Sequence, residues 1–273
     1  MQKVQNKIVS MRDIERSLGA YSVCFASVGN PERAISAGSG SLVRIGERRG
    51  VMTARHVLDE LPGEGEVPFL DFGRPDKQRQ KHHLVIEHCR RFDLPDNDRG
   101  RDVPDLAFLQ LPVNEVVRLE ALGCSFHNLS RNFSEPFPTG FPKDSFIDVV
   151  AGVVEEFSEA SVSDTDGLTT MFTTLPTLAS VIGERAVGGY DIKEVTFHFD
   201  DDMRRPTTYG GMSGGALWRI FAERVGETGY EVHRKYIFGV AFHQSSQNEA
   251  GDRIISCHGP ASIIRLHDVV AAA

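Results

Sequence analysis

Gly210-Gly211-Met212-Ser213-Gly214-Gly215 sets one serine inside a run of glycines, between two apolar-rich segments. Glycines let backbone N–H groups turn inward and come close to a ligand. A serine held there is able to attack a carbonyl while neighbouring N–H groups hold the oxyanion that forms. Small residues also gather in plain turns. The stretch therefore signifies chemistry only if the rest of the chain supplies a base and an acid to orient it.

A base is available upstream, in Val51-Met52-Thr53-Ala54-Arg55-His56-Val57-Leu58. A strand ends in the small pair Thr53-Ala54 and His56 emerges at the turn, the fixed but reachable placement that a general base requires. The chain holds ten histidines, so this context and not the residue type singles His56 out. The acid is Asp105, in Val103-Pro104-Asp105-Leu106-Ala107-Phe108-Leu109. An apolar strand follows it directly, which places its carboxylate at a rim, partly buried and able to accept the Nδ1 proton of a histidine. Asp102 is the nearest rival, but Val103-Pro104 and not a strand follows it.

Taken in order, T-A-x-H, D-L-A before apolar residues and G-x-S-G-G form a set that resembles the chymotrypsin-like (trypsin-like) serine peptidases. Gly38-Ser39-Gly40-Ser41-Leu42-Val43 is similar to the small-residue strand ahead of the family's histidine. Thr139-Gly140-Phe141-Pro142 resembles its second-barrel turn, and Phe238-Gly239-Val240-Ala241-Phe242 its cleft-lining strand. The resemblance spans roughly residues 20 to 265 and leaves the N-terminal leader unmatched. It implies an all-β fold of two six-stranded antiparallel β-barrels with a C-terminal helix, and a site in the cleft between the barrels. By position it implies Ser213 as nucleophile, His56 as base, Asp105 as its orienting acid, and the N–H groups of Gly211 and Ser213 as the oxyanion hole.

Many secreted members carry Asp immediately before the serine, where it pairs with a newly cut N-terminus. Met212 stands there and cannot form that pair. The resemblance is thus nearer to intracellular bacterial members. Residues framing the primary pocket fall near Pro206, Thr207, Thr208 and Tyr209, with Ala241, Phe242 and His243 on the later strand; Thr207, Thr208, Ala241, Phe242 and His243 are the expected substrate contacts. Thr207 falls at the pocket base by counting, so a Lys/Arg preference has no support. Thr207 and His243 suit a polar or acidic side chain, and an apolar preference fits equally.

Composition is ordinary for a soluble globular protein. The 273 residues are 40% apolar and 25% charged, enough to bury a sizeable core. A net charge of −8 argues against nucleic acid or an anionic membrane as the main partner. Cys24, Cys89, Cys124 and Cys257 are widely spaced and form no C-x-x-C pair, as expected of reduced thiols. Met1 to Lys7 is polar, with no apolar run of signal-peptide length. The expected compartment is the cytoplasm, the expected partner a protein or peptide substrate, with one dedicated partner protein as an open alternative, and no cofactor is expected.

Short strands punctuated by glycine and proline fit barrels, not alternating strands and long helices. The expected divisions are a leader with a short helix at 1–18, a first barrel at 19–112, a linker at 113–135, a second barrel at 136–258 and a C-terminal helix at 259–273. Between Pro62 and Asp102 only one strand is expected, at His83 to Cys89. His82, His83, His88 and Cys89 match no zinc spacing, and no metal is expected. Asp200-Asp201-Asp202 reads as a solvated charge run.

Two other classes compete. A trypsin-fold binding module, silent or conditionally inactive, would keep the fold without turnover. An α/β-hydrolase esterase would share G-x-S-x-G, and Asp252 with His258 or His267 would complete its site.

Overall fold

The computed structural model describes residues 8–30, 33–73, 82–95, 104–134, 145–163, 167–171, 174–199, 204–227, 229–247 and 252–273. The Thr139–Pro142 turn, Asp102 and the Asp200–Asp202 run lie outside them. The chain opens with β1 (Ile8–Ser10) and α1 (Met11–Gly19), followed by β2 (Ser22–Asn30), β3 (Arg33–Ile45) and β4 (Arg48–Thr53). Next come α2 (Arg55–Asp59), β5 (Glu66–Asp71), β6 (His82–Val85), β7 (Arg90–Asp93) and β8 (Ala107–Gln110). α3 (Val113–Ala121), β9 (His127–Asn128) and α4 (Leu129–Ser134) connect the halves. The second half holds β10 (Phe146–Val153), β11 (Glu159–Ser163), β12 (Gly167–Met171), β13 (Thr174–Val187) and β14 (Tyr190–Phe197). It ends with β15 (Ala216–Val225), β16 (Gly229–Gln244), β17 (Ile255–His258) and α5 (Pro260–Ala272).

Both halves curl into six-stranded antiparallel barrels. In the first, the sheet runs β6-β5-β2-β3-β4-β8-β7. β6 and β7 are one bent strand, broken by the 3₁₀ turn Ile86–His88 and pairing with β5 at one end and β8 at the other. In the second, β16-β15-β10-β13-β14-β17 closes because β17 pairs back onto β16. Closure leaves few open edges to template aggregation. β11 and β12 form a separate hairpin.

Strand alternation explains how the barrels pack. Side chains at i and i+2 share a face. Leu42, Val51 and Leu109 point into the first barrel, with Val23, Phe25 and Phe69. Their neighbours Val43, Met52 and Phe108 point outward. That outward face meets Val149, Ala151 and Trp218 of the second barrel, with Ile14 and Leu18 of α1 and Ile263, Leu266 and Val270 of α5. Val150, Leu217 and Ala241 fill the second barrel. Burying each such side chain stabilises by about 1.5–3 kcal/mol, so the two barrels are held by a core and not by a hinge. Asp191 on β14 anchors α5, its carboxylate accepting from the Ala261 and Ser262 N–H groups at 3.2 and 2.8 Å. An anion there also meets the positive end of the helix dipole.

Several expectations need correction. The strand read at Gly38 to Val43 starts earlier, as β3 begins at Arg33. The 62–102 segment adds β5 and β7 to the one strand expected. β1, β11 and β17 were not expected, and the 113–135 connection adds α4 to the helix that the spacing of Val116, Val117, Leu119 and Leu122 predicts, α3. The esterase alternative fails on architecture. Ser213 precedes an antiparallel strand, and the one parallel pairing among the described strands is the short β3–β9 contact. His267 is occupied with Ser130 and Asp268, and His258 with the Asp105 N–H.

Candidate active site

β4 ends at Thr53, whose hydroxyl donates to the Ser39 carbonyl at 2.6 Å. The chain turns into α2, which holds His56 in its first turn. His56 Nδ1 lies 2.5 Å from Asp105 Oδ2, and the His56 N–H donates to Asp105 Oδ1 at 2.8 Å. Both carboxylate oxygens therefore hold one residue. An ionised carboxylate only accepts, so Nδ1 carries the proton and Nε2 presents a lone pair. The Asp105 hydrogen bond raises the His56 pKa above its ordinary value, against burial. Burial acts to raise Asp105, but the hydrogen bonds from His56 prevail and hold it below the usual carboxylate value.

A contact not anticipated from sequence supports Asp105 from behind. Its N–H donates to His258 Nε2 at 3.1 Å. His258 is 3% exposed and stacks on Phe242, with ring centroids 4.4 Å apart. Burial pushes its pKa down to about 4, which keeps the imidazole neutral and Nε2 free to accept. Asp105 belongs to the first barrel and His258 to the second, so this bond ties the His56–Asp105 pair to β17, which pairs with the strand that carries Phe242.

The glycine run is a pair of tight turns. Met212 N–H donates to Tyr209 O at 3.1 Å, and Gly215 N–H to Met212 O at 2.8 Å. Gly211 and Gly214 take φ of +85° and +88°, a region that costs residues with a Cβ. At Gly214 a Cβ would also lie 2.0 Å from the Ser39 carbonyl oxygen. The Gly210 carbonyl accepts from Glu155 N–H at 2.8 Å. A trans peptide directs its N–H opposite its carbonyl, so the Gly211 N–H faces away from Glu155. Among the described residues neither that N–H nor the Ser213 N–H meets an acceptor. Two donors thus stand open around one serine.

Ser39 braces this turn against both barrels. Its N–H donates to Ser213 O at 2.7 Å, its hydroxyl donates to Gly211 O at 2.7 Å, and the same hydroxyl accepts from Val153 N–H at 2.8 Å. Ser39→Ala is expected to strand the Val153 N–H and the Gly211 carbonyl, costing about 1–3 kcal/mol. Chemical denaturation read together with peptide turnover checks it. The expected outcome is a lower midpoint and slower turnover, with wild-type values on both counts contradicting it.

Met212 is 2% exposed and packs with Val150, Tyr209 and Ala241. β1 is paired with Gly229–Glu231, at the other end of β16 from Ala241.

The expected substrate contacts divide into two groups. Phe242 and His243 border a cavity of about 400 Å³ that also includes His56, Asp105, Tyr190, Ile192 and Arg185. Thr207 and Thr208 do not border it. Their N–H groups and the Thr207 hydroxyl donate to Glu156 at 2.6–3.1 Å, and Gln244 Nε2 donates to the Thr208 hydroxyl. Ala241 is buried, and its backbone binds Gly214 and Gly215. His56 and Asp105 are joined, whereas no hydrogen bond joins Ser213 Oγ to His56 among the described residues.

His82 is buried on Asp71, His83 pairs with Glu66, and Cys89 Sγ points to Val85 O, so these side chains face separate partners. Among the described residues Glu223, Glu231 and His233 bring potential metal-ligand atoms within 4.8 Å of one another, remote from His56.

No protein-family model and no curated protein matches the chain. Among solved structures, the inactive form of the Rv3671c protease aligns at TM-score 0.44 and 15% identity, over 93% of this chain and 90% of that one. A serine-to-alanine mutant of Rv3671c from M. tuberculosis H37Rv gives 0.43 and 15%, over 96% and 92%. A structure described for coupled folding and binding of the Sesbania mosaic virus VPg protein gives 0.40 and 14%, over 88% and 85%. The strand pairings above, not these likenesses, define the fold.

Proposed function

We propose that the protein is a serine endopeptidase acting through His56, Asp105 and Ser213. The observation that carries this reading is the doubly bonded His56–Asp105 pair, set on the barrel that Ser39 ties to the glycine turn of Ser213. Ser213 Oγ attacks the scissile carbonyl and His56 Nε2 takes its proton. Asp105 holds the tautomer and stabilises the imidazolium. The Gly211 and Ser213 N–H groups hold the oxyanion, each worth about 3–4 kcal/mol in such chemistry. His56 then protonates the leaving amine, and water releases the acyl-enzyme. Phe242 and His243, which border the cavity with His56, contact the peptide. The domain divisions follow the two barrels, and four free cysteines suit a reducing, cytoplasmic setting.

No helix among the described residues is long and apolar enough to cross a membrane. One observation favours a second reading, a two-barrel module held inactive until a partner binds: the unformed Ser213–His56 hydrogen bond. Substrate closure is the alternative account, since such bonds often tighten only in the complex.

The pH profile of peptide-library cleavage tests the proposal. The base must be unprotonated, and Asp105 raises its pKa. Activity is therefore expected to fall on acidification with a midpoint above the ordinary histidine value of about 6.5. A flat profile down to pH ~5, far below that value, would exclude His56 as the base.

A further inference from the structure

A second cavity, of about 540 Å³, lies on a different part of the surface, between β3, β9, α4 and the first half of β16. Arg44, Arg131, Arg234 and Lys235 border it, and no aspartate or glutamate does so among the described residues. That is against the run of a chain with 38 acidic and 30 basic side chains. No described carboxylate pairs with Lys235 or with Arg44. The Lys235 ammonium sits instead 4.3 Å from the Tyr21 ring centroid and 6.0 Å from that of Trp218. Burial pushes its pKa down to about 8. An anion placed beside it would relieve that cost, because opposite charge favours the ammonium. His127 borders the same cavity. Burial pushes its pKa down to about 4 against the hydrogen bond with Asn132, with smaller contributions from Lys235 and Arg131.

We propose that this cavity binds a phosphate-bearing small molecule, with Lys235 and Arg44 on the phosphates. Its volume falls within the range of small-ligand sites. Arginine offers the forked donors and lysine the point charge that phosphate recognition uses. Tyr21 and Phe126, both partly exposed, also border the cavity and give a nucleotide's base a surface that a bare phosphate chain would not use.

The test is titration of the full chain with tripolyphosphate and, separately, with ATP, read by calorimetry. Fluorescence gives a second readout, since Trp218 is the sole tryptophan and is buried beside Lys235. Saturable binding is expected, weakened roughly tenfold or more by Lys235→Met and by Arg44→Gln, as for lost bonds to charge. Arg12→Gln, on the exposed face of α1, should leave it unchanged. Tighter binding of ATP would assign a nucleotide, and equal binding an inorganic phosphate chain. Thermal unfolding checks each variant; Arg44 is only partly buried, so Arg44→Gln carries the test if Lys235→Met does not fold. Binding of neither probe at millimolar concentration, or binding indifferent to both substitutions, would overturn the proposal.

Discussion

Ser213→Ala is expected to lower peptide turnover by about a million-fold while leaving the fold intact, the scale seen when a triad nucleophile is removed. The fold should survive because the contacts that place Ser213 are made by its backbone. Its carbonyl accepts from Ser39 N–H, and the flanking turns are closed by Met212, Gly214 and Gly215. An alanine keeps every one of these. Residual catalysis over water, of about a thousandfold, should persist from the oxyanion donors and substrate binding. Turnover measured beside thermal unfolding separates the cases. Lost turnover with an unchanged midpoint is the expected result, and retained turnover would remove Ser213 from the chemistry.

Asp105→Asn is expected to cost about ten-thousand-fold in kcat, again with little structural change. The Asn Oδ1 still accepts from the His56 N–H, and the backbone bond to His258 is untouched. The Asn NH₂ group, however, donates towards Nδ1. The ring proton is driven to Nε2, where Ser213 needs an acceptor. Linkage gives a second readout. Asp105 titrates below its ordinary value, so its contribution to stability is present above that value and fades as pH falls through the lowered pKa. His56 titrates above its ordinary value, so its contribution is complete below about 6.5 and fades as pH rises through the raised pKa. The pair thus stabilises most between the ordinary aspartate value of about 3.9 and about 6.5. Stability of the Asn variant should lose that feature of the pH profile, and an unchanged profile would count against the pairing.

Much of this was open to reading from the chain because the decisive signals are local. Thr53-Ala54-Arg55-His56 lies at a strand end, Asp105 two residues ahead of β8, and Ser213 inside glycines that must adopt positive φ. The strands seen in advance include those with apolar side chains on both faces, as in β3, β4 and β8. Those overlooked look wrong for strands when isolated. β5 contains Pro68, β7 reads Arg90-Arg91-Phe92-Asp93, and β17 is four residues with Ser256 and His258 among them. They form because neighbours supply the pairing, with β17 closing a barrel between β14 and β16.

The same holds within the site. Ser39 reaches Val153 and Gly211 across 114 and 172 positions, and His258 reaches Asp105 across 153. No periodicity or spacing records such contacts. Counting placed Thr207 at a pocket base, but only the fold shows it engaged by Glu156.

The most direct measurement of the central claim is covalent labelling of the intact protein with a fluorophosphonate, with the adduct located by peptide mass spectrometry. One adduct, on the peptide holding Ser213 and absent after His56→Ala, is the expected result. No adduct on the folded wild-type protein, or an adduct indifferent to His56, would contradict the peptidase assignment.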